Sequence, residues 1–141
     1  MFIGLLLQQL YNTVDTIIVG NYASEAALSA VKRYMVDVAG AYHTIQQVTG
    51  EEFSAKKGAI LVTGGGFYMY PIDEYLPLCM DKAALRAMCV ALHNKLKEQD
   101  VYVGTLTVTD AIVPGTRCDP ALLAEDFWKM YLERGECEVM H

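Results

Sequence analysis

Lys82 and Cys79 form the pair of residues whose types and spacing most directly suggest chemistry. A helix over this stretch would place both side chains on one face, because residues three apart are neighbours on a helix surface. An ammonium group beside a thiol lowers the pKa of the thiol and so increases its reactivity at neutral pH. The simpler interpretation, which we favour, is a small buried side chain next to a solvated lysine.

The other thiols and the imidazoles give no indication of metal or redox chemistry. The four cysteines are Cys79, Cys89, Cys118 and Cys137. Their spacing includes no CxxC pair, so a zinc ribbon or a dithiol motif is unsupported, and we expect free, buried thiols in a reducing compartment. His43 and His93 have no ligand partner at useful spacing, so we predict no metal site.

Three consecutive glycines, Gly64 to Gly66, are the one glycine-rich stretch that invites comparison with a phosphate-binding loop. Such a loop must open directly into a helix, so that backbone amides and the helix dipole point at the anion. Tyr68, Tyr70 and Pro71 follow instead, so we predict a tight loop that ends a strand.

Apolar patterning around these residues predicts a strand–helix–strand unit. Ala59–Thr63 is a short apolar run that suits a buried strand, Leu78–Lys97 carries a helical apolar stripe, and Val101–Val108 reads as a second strand. Such an order requires parallel pairing. Asp119 followed by Pro120 predicts the start of a last helix, with Asp as the N-cap.

A further helix is predicted before this unit, from about Ser24 to Gly50, followed by a polar loop from 51 to 58. Its apolar stripe consists of Leu28, Val31, Met35, Val38, Tyr42 and Ile45. The predicted fold class is therefore α/β, with a partial Rossmann-like parallel sheet, a βαβ core and an N-terminal helical segment.

Composition divides the chain into two predicted units, 1–31 and 32–141. The first contains no Lys or Arg, and all eleven basic residues lie from Lys32 onward.

A net charge of −6 argues against a nucleic-acid partner, because phosphates would be repelled. The start of the chain has no basic segment and is a poor signal peptide. We therefore expect a cytoplasmic protein.

Residues 1–20 are the alternative membrane anchor. They are apolar at both ends, but Gln8, Gln9, Asn12 and Asp15 interrupt the run. An Asp at the centre of a spanning helix costs roughly 2.5–3.5 kcal/mol on insertion scales. A lone span exposed to lipid is therefore disfavoured, and a membrane-associated protein remains the second expectation for localisation.

From about Val36 to the C-terminus the chain resembles the short-chain dehydrogenase/reductase family. The segments that carry the resemblance are VDVAGAYHTIQQV, GAILVTGGGFYMYP, LCMDKAALRAMCVALHNKL and VYVGTLTVTDAIVPGTRCDPALLAEDFW. The resemblance implies a doubly wound sheet that binds NAD(P) and catalyses hydride transfer at a carbonyl or an alcohol. It also implies a homo-oligomer, because the helices near 36–48 and 78–97 correspond to those that pair in dimers of the family.

The catalytic residues that the resemblance implies are an Asn, a Ser, a Tyr and a Lys. Lys82 matches the lysine, which lowers the pKa of the tyrosine so that its phenol can exchange a proton. The tyrosine position is Leu78, the serine position falls near Gly65, and the asparagine position is Asp37. Tyr75 is a poor substitute, since seven helical residues span about 10 Å. We expect weak or absent catalysis.

In this family a strand, a TGxxxGxG loop and a helix come first and hold the dinucleotide, and we expect the present sequence to lack them. NAD(P) is thus a cofactor by resemblance only, and no cofactor-binding residue is assigned. An alternative is an oxidoreductase that completes its site with a partner chain. A chimeric reading frame without a selected function is a further alternative.

The first 31 residues resemble the start of the MATE-type multidrug efflux transporters. QQLYNTVDTIIVG, followed by ALSAV, carries this resemblance. It implies that Asp15 sits at a membrane position associated with cation coupling. Transport requires many helices around a cavity, so we expect a transporter-like leader without independent transport activity.

Overall fold

The computed structural model of the protein describes residues 32–141, in which helical segments come first and strands and helices then alternate. A π-helical turn (Met35–Gly40) runs directly into α1 (Ala41–Val48), and a short α2 (Glu51–Ala55) follows. The rest of the chain forms β1 (Ala59–Gly65), α3 (Leu76–Leu96), β2 (Tyr102–Val108), α4 (Pro120–Glu133) and β3 (Glu138–Met140). Single 3₁₀ turns cover Gly66–Tyr68, Asp73–Tyr75 and Lys97–Gln99.

The strands form one parallel sheet with the order β1-β2-β3. Ala59 pairs with Tyr102 at one end of the β1–β2 ladder and Gly65 pairs with Val108 at the other. Because α3 connects these two parallel strands, the unit is a βαβ crossover. The predicted fold class, α/β with a partial Rossmann-like sheet and an N-terminal helical segment, is confirmed.

The central strand β2 divides the core into two apolar clusters, as expected for a strand that is covered on both faces. On one face Tyr102, Leu106 and Val108 pack with side chains of α4, including Leu123 and Met130. On the other face Val101 and Val103 pack with Cys89 and Leu96 of α3. Every residue of β2 is buried, so this strand is the centre of the hydrophobic core.

The structure corrects several predicted element boundaries. The strand predicted over Ala59–Thr63 continues through Gly64 and Gly65, so these glycines belong to β1 and do not terminate it. Residues 51–55, predicted as loop, form α2. Helix α3 begins at Leu76, two residues earlier than predicted, because Pro77 is tolerated in the first helical turn. Strand β3 was not predicted from the sequence.

Of two predicted helix features, the cap of the last helix is confirmed and the apolar stripe of the N-terminal helix is buried only in part. Asp119 caps α4, since its side chain accepts a hydrogen bond of 2.8 Å from the Ala121 amide. In the N-terminal helix Val38 and Ile45 of the predicted apolar stripe are buried, whereas Met35 and Tyr42 are exposed. Leu28 and Val31 lie outside the described residues, as does the predicted unit 1–31.

All four cysteines are free thiols, as predicted. Cys79, Cys89 and Cys118 are buried, and burial raises the pKa of Cys89 to about 12. Between residues 32 and 141, no three His, Cys, Asp or Glu side chains are grouped so as to hold a metal ion. None of the helices in that same part of the chain combines the length and hydropathy needed to cross a bilayer.

Candidate functional site

Lys82 and Gly65 meet at the carboxyl end of β1. A Cβ atom built on Gly65 would lie 3.3 Å from Cε and 3.4 Å from Cδ of Lys82. The aliphatic part of the lysine therefore lies over the last residue of the strand, on the edge of the sheet where parallel α/β folds bind their ligands. Two of the four positions that the resemblance implies, the lysine and the serine, are thus in contact.

Leu78 lies one helical turn before Lys82 on α3. Since α3 is continuous from Leu76, residues 78 and 82 are i,i+4 neighbours and share a face. Leu78 is half-buried and offers a hydrocarbon side chain where the resemblance implies a phenol. A hydrocarbon can neither donate nor accept a proton, so this position cannot supply the acid–base group.

Asp37, at the implied asparagine position, lies close enough to Asp81, the residue before Lys82, for the two charges to interact. Asp81 is buried, and its Oδ2 atom has no hydrogen-bond partner within the described part of the chain. Burial raises the pKa of Asp81, and the charge of Asp37 raises it further, whereas Arg33 and Lys82 oppose the shift. Protonation is therefore easier for Asp81 than for an exposed carboxyl group.

The two alternative candidates beside Lys82 are held in packing contacts. Cys79 is buried, with its Sγ atom 3.8 Å from the carbonyl oxygen of Ile72, in agreement with the favoured interpretation of a small buried side chain. Tyr75 lies just before α3, and its ring is tilted against that of Phe67 with the centroids 5.9 Å apart. Tyr75 does not belong to the helix that carries Lys82.

The two histidines considered for metal binding have other positions. His93 on α3 lies with Nδ1 2.7 Å from the carbonyl oxygen of Val103 and contacts the ring of Tyr102 edge-on. His43 is exposed on α1. His93 thus packs between α3 and the sheet, and His43 lies at the surface.

A cleft of about 450 Å³ opens at the carboxyl ends of β1 and β2; we call it the edge cleft. Its lining consists of Gly66, Phe67, Met69, Tyr70, Val108, Thr109, Asp110 and Ala111. This volume falls in the usual range of small-molecule sites. Among these described lining residues Asp110 is the only charged one, so the cleft suits an apolar or uncharged group better than a phosphate.

A polar cluster around Glu138 joins β3 to the rest of the molecule. Oε1 of Glu138 accepts hydrogen bonds of 2.7 Å from the Tyr68 hydroxyl and from the Thr107 hydroxyl, and Oε2 accepts one of 2.7 Å from Nε of Arg86. The Arg86 guanidinium also lies 5.1 Å from the centroid of the Tyr68 ring. All the donors face a single carboxylate, so charge-assisted hydrogen bonds join α3 and the turn after β1 to the sheet.

The pKa values of this cluster follow from its geometry. Burial alone would raise the pKa of Glu138, but the hydrogen bonds from Tyr68, Thr107 and Arg86 outweigh it and hold the pKa below its ordinary value. Burial and the neighbouring carboxylate raise the pKa of Tyr68. Tyr68 therefore stays protonated and serves as a donor, which argues against a role as a general base.

Sequence reasoning missed both the edge cleft and the Glu138 cluster. Tyr68 and Glu138 are 70 residues apart, and no local spacing pattern connects them. The cleft arises because the loop after β1 and the loop after β2 leave the same edge of the sheet. Ligand sites of parallel sheets generally lie at the carboxyl ends of the strands. The predicted parallel pairing therefore indicated where a cleft could be expected.

The fold and this edge define an α/β domain built on a parallel sheet, with a lysine, a glycine and an apolar cleft at the carboxyl ends of its strands. Comparison of the chain with protein-family models, with curated proteins and with solved structures gives no match. The assignment of a function therefore depends on the chain's own residues.

Proposed function

We propose that the chain is a short-chain dehydrogenase/reductase-like domain that does not catalyse NAD(P)-dependent hydride transfer by itself. The observation that supports this most directly is the composition of the sheet edge: Lys82 contacts Gly65, and Leu78 occupies the position one turn before the lysine. Lys82 matches the lysine that would lower the pKa of a tyrosine, but a leucine occupies the tyrosine position and a glycine lies near the serine position. Lys82 would then have no catalytic partner.

Within residues 32–141, Gly64 to Gly66 do not form an alternative binding loop for a dinucleotide. Gly64 and Gly65 are part of β1, and Gly66 begins a single 3₁₀ turn that ends at Tyr68. A pyrophosphate is held by amides at the start of an α-helix, and α3 begins only at Leu76. We therefore infer that NAD(P), the cofactor implied by the resemblance, is not bound by this part of the chain.

Replacing Leu78 by Tyr tests whether the edge is a dehydrogenase site without its phenol. A tyrosine at this position would share a helix face with Lys82, whose charge favours phenolate. We expect the pKa of the new phenol to fall by about one unit, measured from the phenolate absorbance of the variant relative to the parent protein.

Met80→Tyr is the matched control, because Met80 is exposed and lies on a different side of α3 from Lys82. Its phenol should titrate at the ordinary value. If the two added phenols titrate alike, Lys82 does not serve the position of Leu78, and the proposed correspondence with the dehydrogenase site is wrong. Added NADPH and a carbonyl compound should give no turnover with the parent protein.

Self-association is the second candidate function, and a groove between helices favours it. This helical groove, of about 640 Å³, is lined by Tyr34, Met35, Val38, Ala39, Tyr42, His43, Met88, Ala91, Leu92 and Lys95. Tyr34, Met35 and Tyr42 expose 48%, 43% and 41% of their surface. These are large exposed fractions for apolar side chains that lie on one surface, and such patches often mark interaction sites.

We propose a second copy of this chain as the occupant of the helical groove. The groove lies between the two helices, near 36–48 and 78–97, that the resemblance implies as a dimer interface. A twofold dimer places the same surface of both copies in contact, so the apolar groove of one copy can pack against that of the other. Helix α3 has 21 residues and is about 30 Å long, enough for an interface of standard size.

The alternatives that involve residues 1–20 or 1–31, a membrane anchor or a MATE-like leader, concern residues outside the described part of the chain. Cytoplasmic localisation stays a proposal as well. Separation of the expressed protein into soluble and membrane fractions tests both, since an anchored protein would sediment with membranes until detergent is added.

A further inference from the structure

His141, the residue after β3, has an acceptor at each of its two ring nitrogens. Nδ1 lies 2.6 Å from Oδ2 of Asp126 on α4, and Nε2 lies 2.7 Å from the carbonyl oxygen of Arg117 in the segment after β2. A carboxylate and a carbonyl can only accept. Neutral imidazole carries one N–H, whereas imidazolium carries two, so both contacts are hydrogen bonds only when His141 is protonated.

The charged groups around His141 favour its protonated form. The hydrogen bond that the His141 ring donates to Asp126 is the largest influence that raises the pKa of His141, and the bond to the Arg117 carbonyl adds to it, whereas the charge of Arg117 opposes it. In return, His141 lowers the pKa of Asp126, as does Lys129, whose Nζ lies 3.4 Å from Oδ1 of Asp126. The His141 side chain is 14% exposed, so the ring is partly shielded from water.

The same residue holds both ends of the segment 109–117. The backbone amide and the hydroxyl of Thr109 donate to the main-chain oxygen of His141 at 3.2 and 2.8 Å. At the other end the Arg117 carbonyl accepts from the ring, and the Arg117 guanidinium donates to the Thr109 hydroxyl at 2.8 Å. Thr109, Asp110 and Ala111 form one wall of the edge cleft, so His141 lies behind that wall.

We propose that His141 is a positioning residue for the edge cleft, which in its protonated form fastens the segment 109–117 and on deprotonation releases it. Loss of the Nε2 proton would leave a nitrogen lone pair facing the Arg117 carbonyl, which is repulsive. The segment would keep its bonds at Thr109 and the bond from the Gly115 amide to Asp119, but it would lose the contact between the ring and the Arg117 carbonyl, and its mobility behind the cleft wall would increase. Because the folded pKa of His141 is raised, the stabilisation is complete below the unfolded pKa and is lost as pH rises through the folded one.

Amide hydrogen exchange of residues 109–117, measured between about pH 5.5 and 8.5 and corrected for intrinsic exchange, tests the proposal across the range in which histidine titrates. NMR of the His141 ring in the same samples reports its protonation. We expect protection to fall several-fold as the ring loses its proton. His141→Gln keeps a donor but cannot titrate, so its protection should not depend on pH.

His43→Gln is the matched control, since His43 is exposed on α1 and should leave the pH dependence unchanged. Should His141→Gln fail to fold, Asp126→Asn lowers the pKa of His141 and must move the exchange transition to lower pH by the same amount as the ring titration. The proposal is overturned if the transition persists without His141, if exchange and ring titration occur at different pH, or if the ring is neutral throughout.

Discussion

At the scale of single residues, Glu138 shows how one carboxylate can join three elements. Its partners come from the turn after β1, from α3 and from β2. β3 itself is only three residues long and its side chains are not fully buried. Packing of Val139 against the core and pairing with β2 attach the strand, and the charge-assisted hydrogen bonds of Glu138 add to them.

Glu138→Gln is expected to lower the free energy of unfolding by about 1–2 kcal/mol, because hydrogen bonds to a charged group are worth more than neutral ones and Arg86 loses its partner. Urea denaturation measures the change. Glu136→Gln is the control, since Glu136 is exposed two residues away, and it should have no measurable effect. Equal stability of the two variants would show that the cluster does not hold β3.

The same carboxylate predicts how stability depends on acid. Because the pKa of Glu138 is lower in the folded protein than its ordinary value of 4.5, its contribution is complete at neutral pH. The contribution diminishes as pH falls through the unfolded pKa and disappears below the folded one. In denaturation curves collected across this range, Glu138→Gln should lose its stability deficit at low pH, and a deficit that stays constant would contradict this assignment.

At the scale of elements, the two glycines at the end of β1 have different surroundings. A Cβ atom on Gly64 would lie 2.8 Å from Oγ1 of Thr105 and 2.9 Å from Oγ1 of Thr107, and Thr107 is fixed by its bond to Glu138. A Cβ atom on Gly65 would meet the flexible end of Lys82 at 3.3 Å. Close packing of β1 against β2 thus requires glycine at position 64 and tolerates a side chain at 65.

Gly64→Ala should therefore destabilise the protein by about 1–3 kcal/mol, the usual cost of overpacking a core. Gly65→Ala should change stability by less than about 0.5 kcal/mol, because Lys82 can move aside. Thermal denaturation of the two variants side by side checks the difference. If Gly65→Ala is the more damaging of the pair, the contacts assigned to these glycines are incorrect.

Elements with a strong periodic pattern could be predicted from the sequence. The α3 stripe, the apolar runs of β1 and β2 and the Asp119-Pro120 signal are local, and each corresponds to an observed element. Strand β3 could not be predicted, because three residues carry no measurable alternation and the strand depends on partners distant in sequence. The contact between Lys82 and Gly65 was not predicted, although both residues were singled out from the sequence, and the Glu138 cluster had no sequence signal.

At the scale of the whole molecule, the helical groove predicts a dimer. Tyr42→Glu places a charge in the groove at a residue that is 41% exposed, so the fold should be retained. We expect the dissociation constant of the dimer to rise by about tenfold or more, since a buried interface tyrosine is typically worth more than 1 kcal/mol. Sedimentation velocity over a range of protein concentrations measures the change.

Trp128→Glu is the matched control, because Trp128 is an exposed aromatic residue on α4, 60% accessible and stacked on Tyr131, and does not line the groove. It should leave the dimer intact. A parent protein that is monomeric at all concentrations, or a dimer that Trp128→Glu disrupts and Tyr42→Glu does not, would contradict the proposed interface.

The central claim of the proposed function concerns cofactor binding: within residues 32–141 the glycines at the end of β1 do not open into an α-helix, so we infer that no pyrophosphate is held there. Calorimetric titration of the purified full chain with NADH and with NADPH tests this claim most directly. We predict no saturable heat of binding for either dinucleotide. Saturable binding at a stoichiometry near one per chain would contradict the account and would return Lys82 to a catalytic role.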